Sequence, residues 1–181
     1  MKLKLDLHTH CGEATGCRGS GGRRDPNQKV VREIVEAVQA RGLDGIAITD
    51  HDDHSFAYHV KAIVDRDFAG QIMIIPGSER HCRLGHVVEL YLPGEITFRF
   101  LAHPGSIVRH LLEESDNFHG IELDNNGHRI DKQVAREAAE KHDLLLLSNS
   151  DAHDLCDIGH YYNEISLEEL VARATALPVR M

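Results

Sequence analysis

The chain has 181 residues, which is the size of one domain with its own core, so we treat residues 1–181 as a single domain that needs neither metal nor disulfide to fold. A formal net charge of −9 and an aromatic content of 5%, with no tryptophan, argue against a broad surface for nucleic acid or anionic membrane. No apolar run approaches the roughly 20 residues of a membrane span, and no secretory leader precedes the four cysteines, so we expect a cytoplasmic protein with reduced thiols.

Short apolar runs alternate with segments of helical period along the chain, which is the pattern of a β/α fold with a mostly parallel sheet. The predicted strands cover residues 3–7, 45–49, 72–75, 87–92, 98–102, 120–123, 144–148 and a short run at 163–165. Helical patterns cover residues 56–65, 106–114 and 131–142. We expect Asp25 to cap the first helix, with Pro26 at its first position and Gly42 after its end. A capping box of Ser166 and Glu169 should start the last helix.

Histidines and acidic residues gather where the predicted strands end. His8 and His10 follow the first strand one residue apart, so strand alternation places both on one face, where they can reach one ion. His51 ends the second strand, and Asp50 beside it could orient a ligand. Glu79 follows the third strand after a short turn. A carboxylate at this position can bridge two ions, as two-metal hydrolytic sites require.

The fifth and seventh predicted strands also end in metal-binding residues. His103 closes the fifth strand and precedes Pro104, which should hold the His103 backbone extended. Asp151 and His153 follow the seventh strand with the spacing that puts both on one face. Because ligands bind at the carboxyl ends of parallel strands, these clusters together predict a metal centre at one rim.

These motifs, in this order, resemble the PHP (polymerase and histidinol phosphatase) family over nearly the whole chain. The segments that carry the resemblance are Asp6-Leu7-His8-Thr9-His10, Ile48-Thr49-Asp50-His51, Gly77-Ser78-Glu79, Ala102-His103-Pro104 and Ser150-Asp151-Ala152-His153. The resemblance implies an α/β fold: a compact, distorted seven-stranded β/α barrel related to the TIM barrel. It also implies two or three divalent metal ions at the carboxyl rim and hydrolysis of a phosphoester.

The resemblance further implies how the ligands are shared. The first ion would be held by His8, His10, Glu79 and Asp151, the second by Glu79, His86 and His103, and the third by His51 and His153. Where family members carry another histidine or aspartate, this chain has Gly16, so Cys17 or Glu13 could complete the third site, or that site could be weak or empty. Mixed imidazole and carboxylate donors suit zinc, manganese or iron.

Two catalytic roles and two substrate contacts can be assigned as expectations. Asp151 is the candidate that anchors an ion and accepts the proton of the attacking water. His153, His51 and His81 are candidates for protonating the leaving oxygen, and Arg80 and Arg18 are candidates for binding the substrate phosphate.

The sequence therefore predicts a metal-dependent phosphoesterase that hydrolyses a small phosphomonoester or a nucleotide-derived phosphodiester through a metal-bridged hydroxide. One alternative keeps the ions but changes the bond, as in a metal-dependent nuclease or an amidohydrolase. The other is a non-catalytic regulatory domain that only binds metal. The lack of a basic stripe disfavours the nuclease, and the nearly complete set of ligand types disfavours the regulatory domain.

Overall fold

The structure is a computed structural model that describes residues 1–17, 25–113 and 117–176. Its strands are β1 (Leu3–Thr9), β2 (Gly45–Ile48), β3 (Met73–Cys82), β4 (Gly85–Leu92), β5 (Ile96–Ala102), β6 (Gly120–Asn125), β7 (Leu145–Asn149) and β8 (Asn163–Ile165). They form one nearly closed, barrel-shaped sheet in the order β7-β6-β5-β4-β3-β2-β1-β8. The predicted α/β barrel is confirmed, with eight strands in the described residues where the resemblance implied seven.

The helices are α1 (Cys11–Ala14), α2 (Gln28–Ala40), α3 (Ser55–Asp67), α4 (Val108–Leu111), α5 (Lys132–His142) and α6 (Leu167–Ala176), with a short 3-10 helix at Leu155–Asp157. None of these helices is long and apolar enough to cross a membrane. The helix predicted over residues 106–114 is shorter in the structure, and residue 114 itself lies outside the described residues.

The sheet is mixed rather than uniformly parallel. The pairs β1–β2, β2–β3, β5–β6 and β6–β7 are parallel, whereas β3–β4, β4–β5 and β1–β8 are antiparallel. Short turns explain the antiparallel pairs β3–β4 and β4–β5, because strands joined by a few residues can only run antiparallel. The turn after β3 ends at Gly85 with φ +119°, and the turn after β4 contains Gly94 with φ +80°.

Asx and serine side chains start three of the helices. The cap of α2 is Asn27, whose side chain accepts a hydrogen bond from Val30 N at 3.1 Å. The predicted cap Asp25 is therefore wrong by two residues, because Asn27 is the residue with the extended backbone that a cap requires. Asp131 caps α5, and Ser166 Oγ accepts from Glu169 N at 3.1 Å at the start of α6.

Apolar side chains fill three layers around the sheet. The barrel interior holds residues from alternate strand positions, including Leu7, Ile75, Val88, Phe100 and Leu147. One outer layer packs α2 and α3 against β2, and the other packs α4 and α5 against β5 and β6. Helix α6 adds its apolar side chains to the interior at the end of the barrel opposite the carboxyl rim, since it follows Ile165, which pairs with Leu3. The rim is therefore the open end.

Side-chain amides close the barrel where β7 approaches β1 and β8. Asn163 Oδ1 accepts from Ser148 N at 2.9 Å. Its Nδ2 donates to Ser148 O at 3.0 Å, to Asn149 Oδ1 at 2.9 Å and to Leu5 O at 3.3 Å. Asn149 Oδ1 also accepts from Leu7 N at 3.1 Å. These amides therefore link β7 to β1 and β8 by hydrogen bonds, in place of the backbone hydrogen bonds that join the other strand pairs. We call this contact the seam.

We expect Asn163→Ala to lower the free energy of unfolding by about 2–4 kcal/mol, because the backbone groups of Ser148 and Leu5 lose partners in a half-buried place. Urea unfolding of the metal-free protein measures the loss. Asn126→Ala, at an exposed turn position, is the control and should change stability by less than about 0.5 kcal/mol. Equal stability of the two variants would show that main-chain contacts hold the seam alone.

Candidate metal centre

A β-bulge in β1 turns His8 into the barrel. The pairing of β1 with β2 shifts between Asp6 and Thr9, which inserts one extra residue. Leu7 packs in the barrel interior, and His8 directly after it is also fully buried, with its ring 6.3 Å from that of Phe100. Without the bulge, strand alternation would send His8 to the outer face.

Glu79 is the centre of the cluster. Its side chain is only 1% exposed on β3, and imidazole nitrogens surround both of its oxygens. Oε1 lies 2.9 Å from His86 Nδ1, 3.0 Å from His103 Nε2 and 3.6 Å from His8 Nε2. Oε2 lies 3.0 Å from His51 Nδ1 and 3.4 Å from His10 Nε2. One carboxylate therefore reaches five of the histidines selected from the sequence.

Asp151 faces the same cluster from the end of β7. Its Oδ1 lies 3.0 Å from His10 Nε2 and 3.4 Å from His8 Nε2. Its Oδ2 accepts from Asn125 Nδ2 at 3.1 Å, which fixes the orientation of the carboxylate. The backbone of Asp151 has φ +53°, in the left-handed region. Such strain in a residue other than glycine is typical of functional sites.

His103 also has a left-handed backbone, with φ +28°. The extended conformation expected from Pro104 is therefore wrong for this residue. The buried Glu122 carboxylate accounts for the difference, because its Oε2 accepts from His103 N at 2.7 Å and holds the backbone there. The turn aims His103 Nε2 at Glu79.

A third group lies on the other side of His10. His10, Glu13, His51 and His153 each offer a donor atom, and these atoms lie within 4.8 Å of one another. His153 Nε2 is 3.5 Å from Glu13 Oε2, and His153 Nδ1 donates to Asp151 O at 3.0 Å. Of the two residues weighed for this position, the structure brings Glu13 into the group. Cys17 is buried in the apolar layer beneath α2 and α3 instead.

Asp50 explains how Glu13 reaches the group. The Asp50 carboxylate accepts from Gly12 N at 3.1 Å and from Glu13 N at 3.2 Å, so it caps the short helix α1 from a neighbouring strand end. A Cβ on Gly12 would lie 2.9 Å from Asp50 Oδ1, so only glycine allows this approach. Asp50 was predicted to orient a metal ligand, and in the structure it does so by holding the backbone of α1, which carries Glu13.

We expect Glu13→Gln to weaken binding of the third ion by at least about tenfold, because the group loses its carboxylate. Cys17→Ser should leave the metal stoichiometry unchanged, because the thiol lies in the apolar layer. Isothermal titration with manganese or zinc, with metal content measured after dialysis, compares the two variants. Loss of an ion from Cys17→Ser, with Glu13→Gln unaffected, would reverse the assignment.

Glu122 is the functional residue that sequence reasoning missed. It is fully buried on β6, and its Oε1 lies 2.9 Å from His8 Nδ1. The carboxylate fixes the proton on Nδ1 and leaves Nε2 of His8 free to bind an ion. Asn149 Nδ2 donates to Oε1 at 2.9 Å, and Asn125 Nδ2 donates to Oε2 at 3.0 Å. A charged residue inside a predicted buried strand was the signal that could have identified it.

The cluster keeps its carboxylates ionised before any ion binds. Burial alone would raise the pKa of Glu79, but the imidazoles of His103, His51 and His8 around it outweigh burial and hold that pKa far below its usual range. Burial is likewise outweighed at Asp151, where the imidazole of His10 and the charge of His8 lower the pKa. Burial lowers the pKa of His10 to about 4, so this ligand is neutral at pH 7. Ionised carboxylates and neutral imidazoles are the forms that bind divalent cations.

The geometry fits bound metal ions. With metal–ligand bonds of about 2.1 Å, donors around a tetrahedral ion lie about 3.4 Å apart. Distances from 2.9 Å (His86 to Glu79) to 3.6 Å (His8 to Glu79) separate neighbouring donors of this cluster. Within the described part of the chain, the buried oxygens Glu79 Oε2 and Asp151 Oδ1 make no hydrogen bond of good geometry. An ion would satisfy both oxygens.

The predicted substrate contacts are not part of this cluster. Arg80 is next to Glu79 on β3, so strand alternation sends it to the outer face, where its Nε lies 3.3 Å from Ser78 Oγ and 3.7 Å from Glu89 Oε2. The prediction that Arg80 binds substrate is therefore not supported by its position. Arg18 lies outside the described residues.

Three solved structures share the barrel. A proposed metal-dependent phosphoesterase from Bifidobacterium adolescentis has a TM-score of 0.67 at 14% identity, covering 96% of this chain and 97% of that one. An amidohydrolase from Chromobacterium violaceum, with bound sulfate and no metal, has a TM-score of 0.64 at 17% identity over 93% and 96% of the two chains. PsfC from Pseudomonas syringae has a TM-score of 0.61 at 13% identity over 94% and 88%. At these identities the likeness shows the fold.

Sequence comparison matches one part of the chain. A search of the curated proteins found no match. A family model described as PHP-associated matches residues 129–176, which include α5, β7, β8 and α6. This match covers less than half of the chain, so it shows similarity to PHP-associated sequences over that part, and it agrees with the resemblance carried by the five motifs at the rim of the barrel.

Proposed function

We propose that this protein is a metal-dependent hydrolase whose substrate is a small phosphomonoester or a nucleotide-derived phosphodiester. The observation that carries the proposal is the Glu79 carboxylate, which is buried among five imidazoles and has an oxygen without a hydrogen bond of good geometry. Such a carboxylate can bridge two cations, and paired divalent cations are the usual means of hydrolysing phosphoesters.

The ligand groups follow the donors in the structure. His8, His10, Glu79 and Asp151 would hold the first ion, and Glu79, His86 and His103 would hold the second. His51, His153 and Glu13 would hold the third, with His10 close to both groups. The ions would lower the pKa of an attacking water and balance the charge of the phosphoryl oxygens.

The side chains of the protein position and move protons. Asp151 is the proposed base, because Asn125 fixes its Oδ2 while its Oδ1 faces the cluster without a hydrogen bond of good geometry. Glu122 keeps the His8 ring in one tautomer. His153 is half-exposed at the mouth, so it is the candidate that protonates the leaving oxygen. Zinc, manganese and iron remain the candidate metals.

Turnover of p-nitrophenyl phosphate and bis-p-nitrophenyl phosphate, with manganese, zinc or iron added to metal-free protein, tests the proposal. We expect hydrolysis of at least one ester, restored by metal after chelation. A protein that binds two ions and hydrolyses neither ester would contradict it. Amide hydrolysis is the second candidate because one structural neighbour is an amidohydrolase, and p-nitroacetanilide assayed in parallel distinguishes the two bonds.

A further inference from the structure

His128 lies beside the metal centre but belongs to none of the ligand groups predicted from the sequence. It is on the loop between β6 and α5, and its ring stacks on that of His103 with centroids 4.1 Å apart. Its Nε2 is 3.7 Å from Asp151 Oδ2. His103, His128 and Asp151 each offer a donor atom, and the three atoms lie within 4.8 Å of one another.

The loop that carries His128 is fixed by a buried side chain. Asn125 Oδ1 accepts from Gly127 N at 2.8 Å and from His128 N at 2.9 Å. Asn125 Nδ2 donates to Asp151 Oδ2 at 3.1 Å and to Glu122 Oε2 at 3.0 Å. One amide therefore sets the position of His128 and of Asp151 together.

A bulge places Asn125 where it can do this. The pairing of β6 with β7 shifts between Glu122 and Asp124, so both Glu122 and Asn125 face the barrel, whereas Asp124 faces out to Lys132. Strict alternation would have put Asn125 on the outer face. The backbone, the bulge and the amide together hold the His128 imidazole 3.7 Å from Asp151 Oδ2, with a donor atom within 4.8 Å of a donor atom of His103, which is a proposed ligand of the second ion.

We propose that His128 is a fourth protein ligand of the second ion, alongside Glu79, His86 and His103. This inference rests on the proposed metal-dependent function and adds one donor to it. The second ion would then have three imidazoles and a shared carboxylate, and it would be held more tightly than the third ion at the exposed mouth. His128 is 55% exposed, so its replacement leaves the apolar layers intact.

The test is cobalt binding to metal-free wild type and His128→Ala, followed by visible absorption and by competition with a chelator. We expect His128→Ala to lower the affinity of one ion by at least about tenfold and to change the ligand-field bands, because water replaces a nitrogen donor. His110→Ala, an exposed imidazole on α4, and Asn126→Ala, in the same loop as His128, are controls that should match the wild type.

Unchanged affinity and unchanged absorption in His128→Ala would overturn the assignment, whatever happens to turnover. This outcome differs from failure of the proposed function. A protein that binds ions with the His128 signature but hydrolyses no phosphoester would contradict only the function. A wild-type protein that binds no cobalt would overturn both.

Discussion

Glu79→Gln should abolish turnover, with kcat/KM falling by at least about 10³-fold, or about 4 kcal/mol of transition-state stabilisation. The physical reason is that the two proposed ion sites would share this carboxylate. Its oxygens lie within 3.6 Å of five imidazole nitrogens, and glutamine replaces one oxygen by a donor and removes the charge. Steady-state assays of the phosphate esters, together with metal content after dialysis, measure the loss.

The control is Glu89→Gln on the neighbouring strand β4. Glu89 faces the outer side of the sheet, where its Oε1 lies 3.2 Å from Arg99 Nε, so its loss should leave metal content and turnover close to wild type. The metal-free Glu79→Gln variant should remain folded, since Glu79 belongs to none of the three apolar layers. Unfolding of that variant would instead indicate a structural metal site.

Glu122→Gln should lower metal affinity by about 10- to 100-fold without removing any ligand. The Gln side chain can accept at only one of its two terminal atoms, whereas His8 Nδ1, His103 N, Asn125 Nδ2 and Asn149 Nδ2 all point at the two oxygens of Glu122. An amide facing His8 would favour the tautomer with the proton on Nε2, which cannot bind an ion. We also expect a loss of about 2–4 kcal/mol in the free energy of unfolding, because buried donors lose partners.

Histidine NMR resonances of the zinc-loaded protein, together with zinc affinity, distinguish this positioning effect from simple instability. Asp124→Asn is the matched control, since Asp124 is on the same strand but contacts Lys132 and Ser148 on the outside. An unchanged His8 tautomer and unchanged zinc affinity in Glu122→Gln would show that His8 is oriented by its backbone alone.

Strand-end residues are predictable from the sequence because the signal is local. A histidine or acid directly after an apolar run is expected at the rim of a β/α sheet, so the hydrophobic pattern selects His8, His51, His103 and Asp151. The predicted turn before Glu79 is wrong, because β3 runs on to Cys82 and Glu79 lies within it. The hydrophobic pattern does not reveal the bulges that turn His8 and Asn125 inward, because one extra residue in a strand does not visibly change that pattern.

Contacts between distant segments could not be predicted. The sequence placed Glu122 only within a short strand. Its hydrogen-bond partners lie on β1, β6 and β7 and directly after β5. Arg80 was placed at the substrate by its closeness to Glu79 in sequence, although alternation sets the two on opposite faces. Cys17 and Glu13 were both candidates for the third site, and the Asp50 contact to the backbone of α1, which the sequence does not reveal, favours Glu13.

The amide seam of the barrel connects directly to the metal centre. Asn163 binds Asn149, Asn149 binds both Leu7 N and Glu122, and Glu122 binds His8. Separation of β7 from β1 would therefore free the imidazole of His8, which is a proposed ligand of the first ion. We expect cation binding to slow deuterium uptake at the backbone amides of Leu7 and Ser148. The reason is that local opening of the barrel between β7 and β1 and release of the ion would occur together.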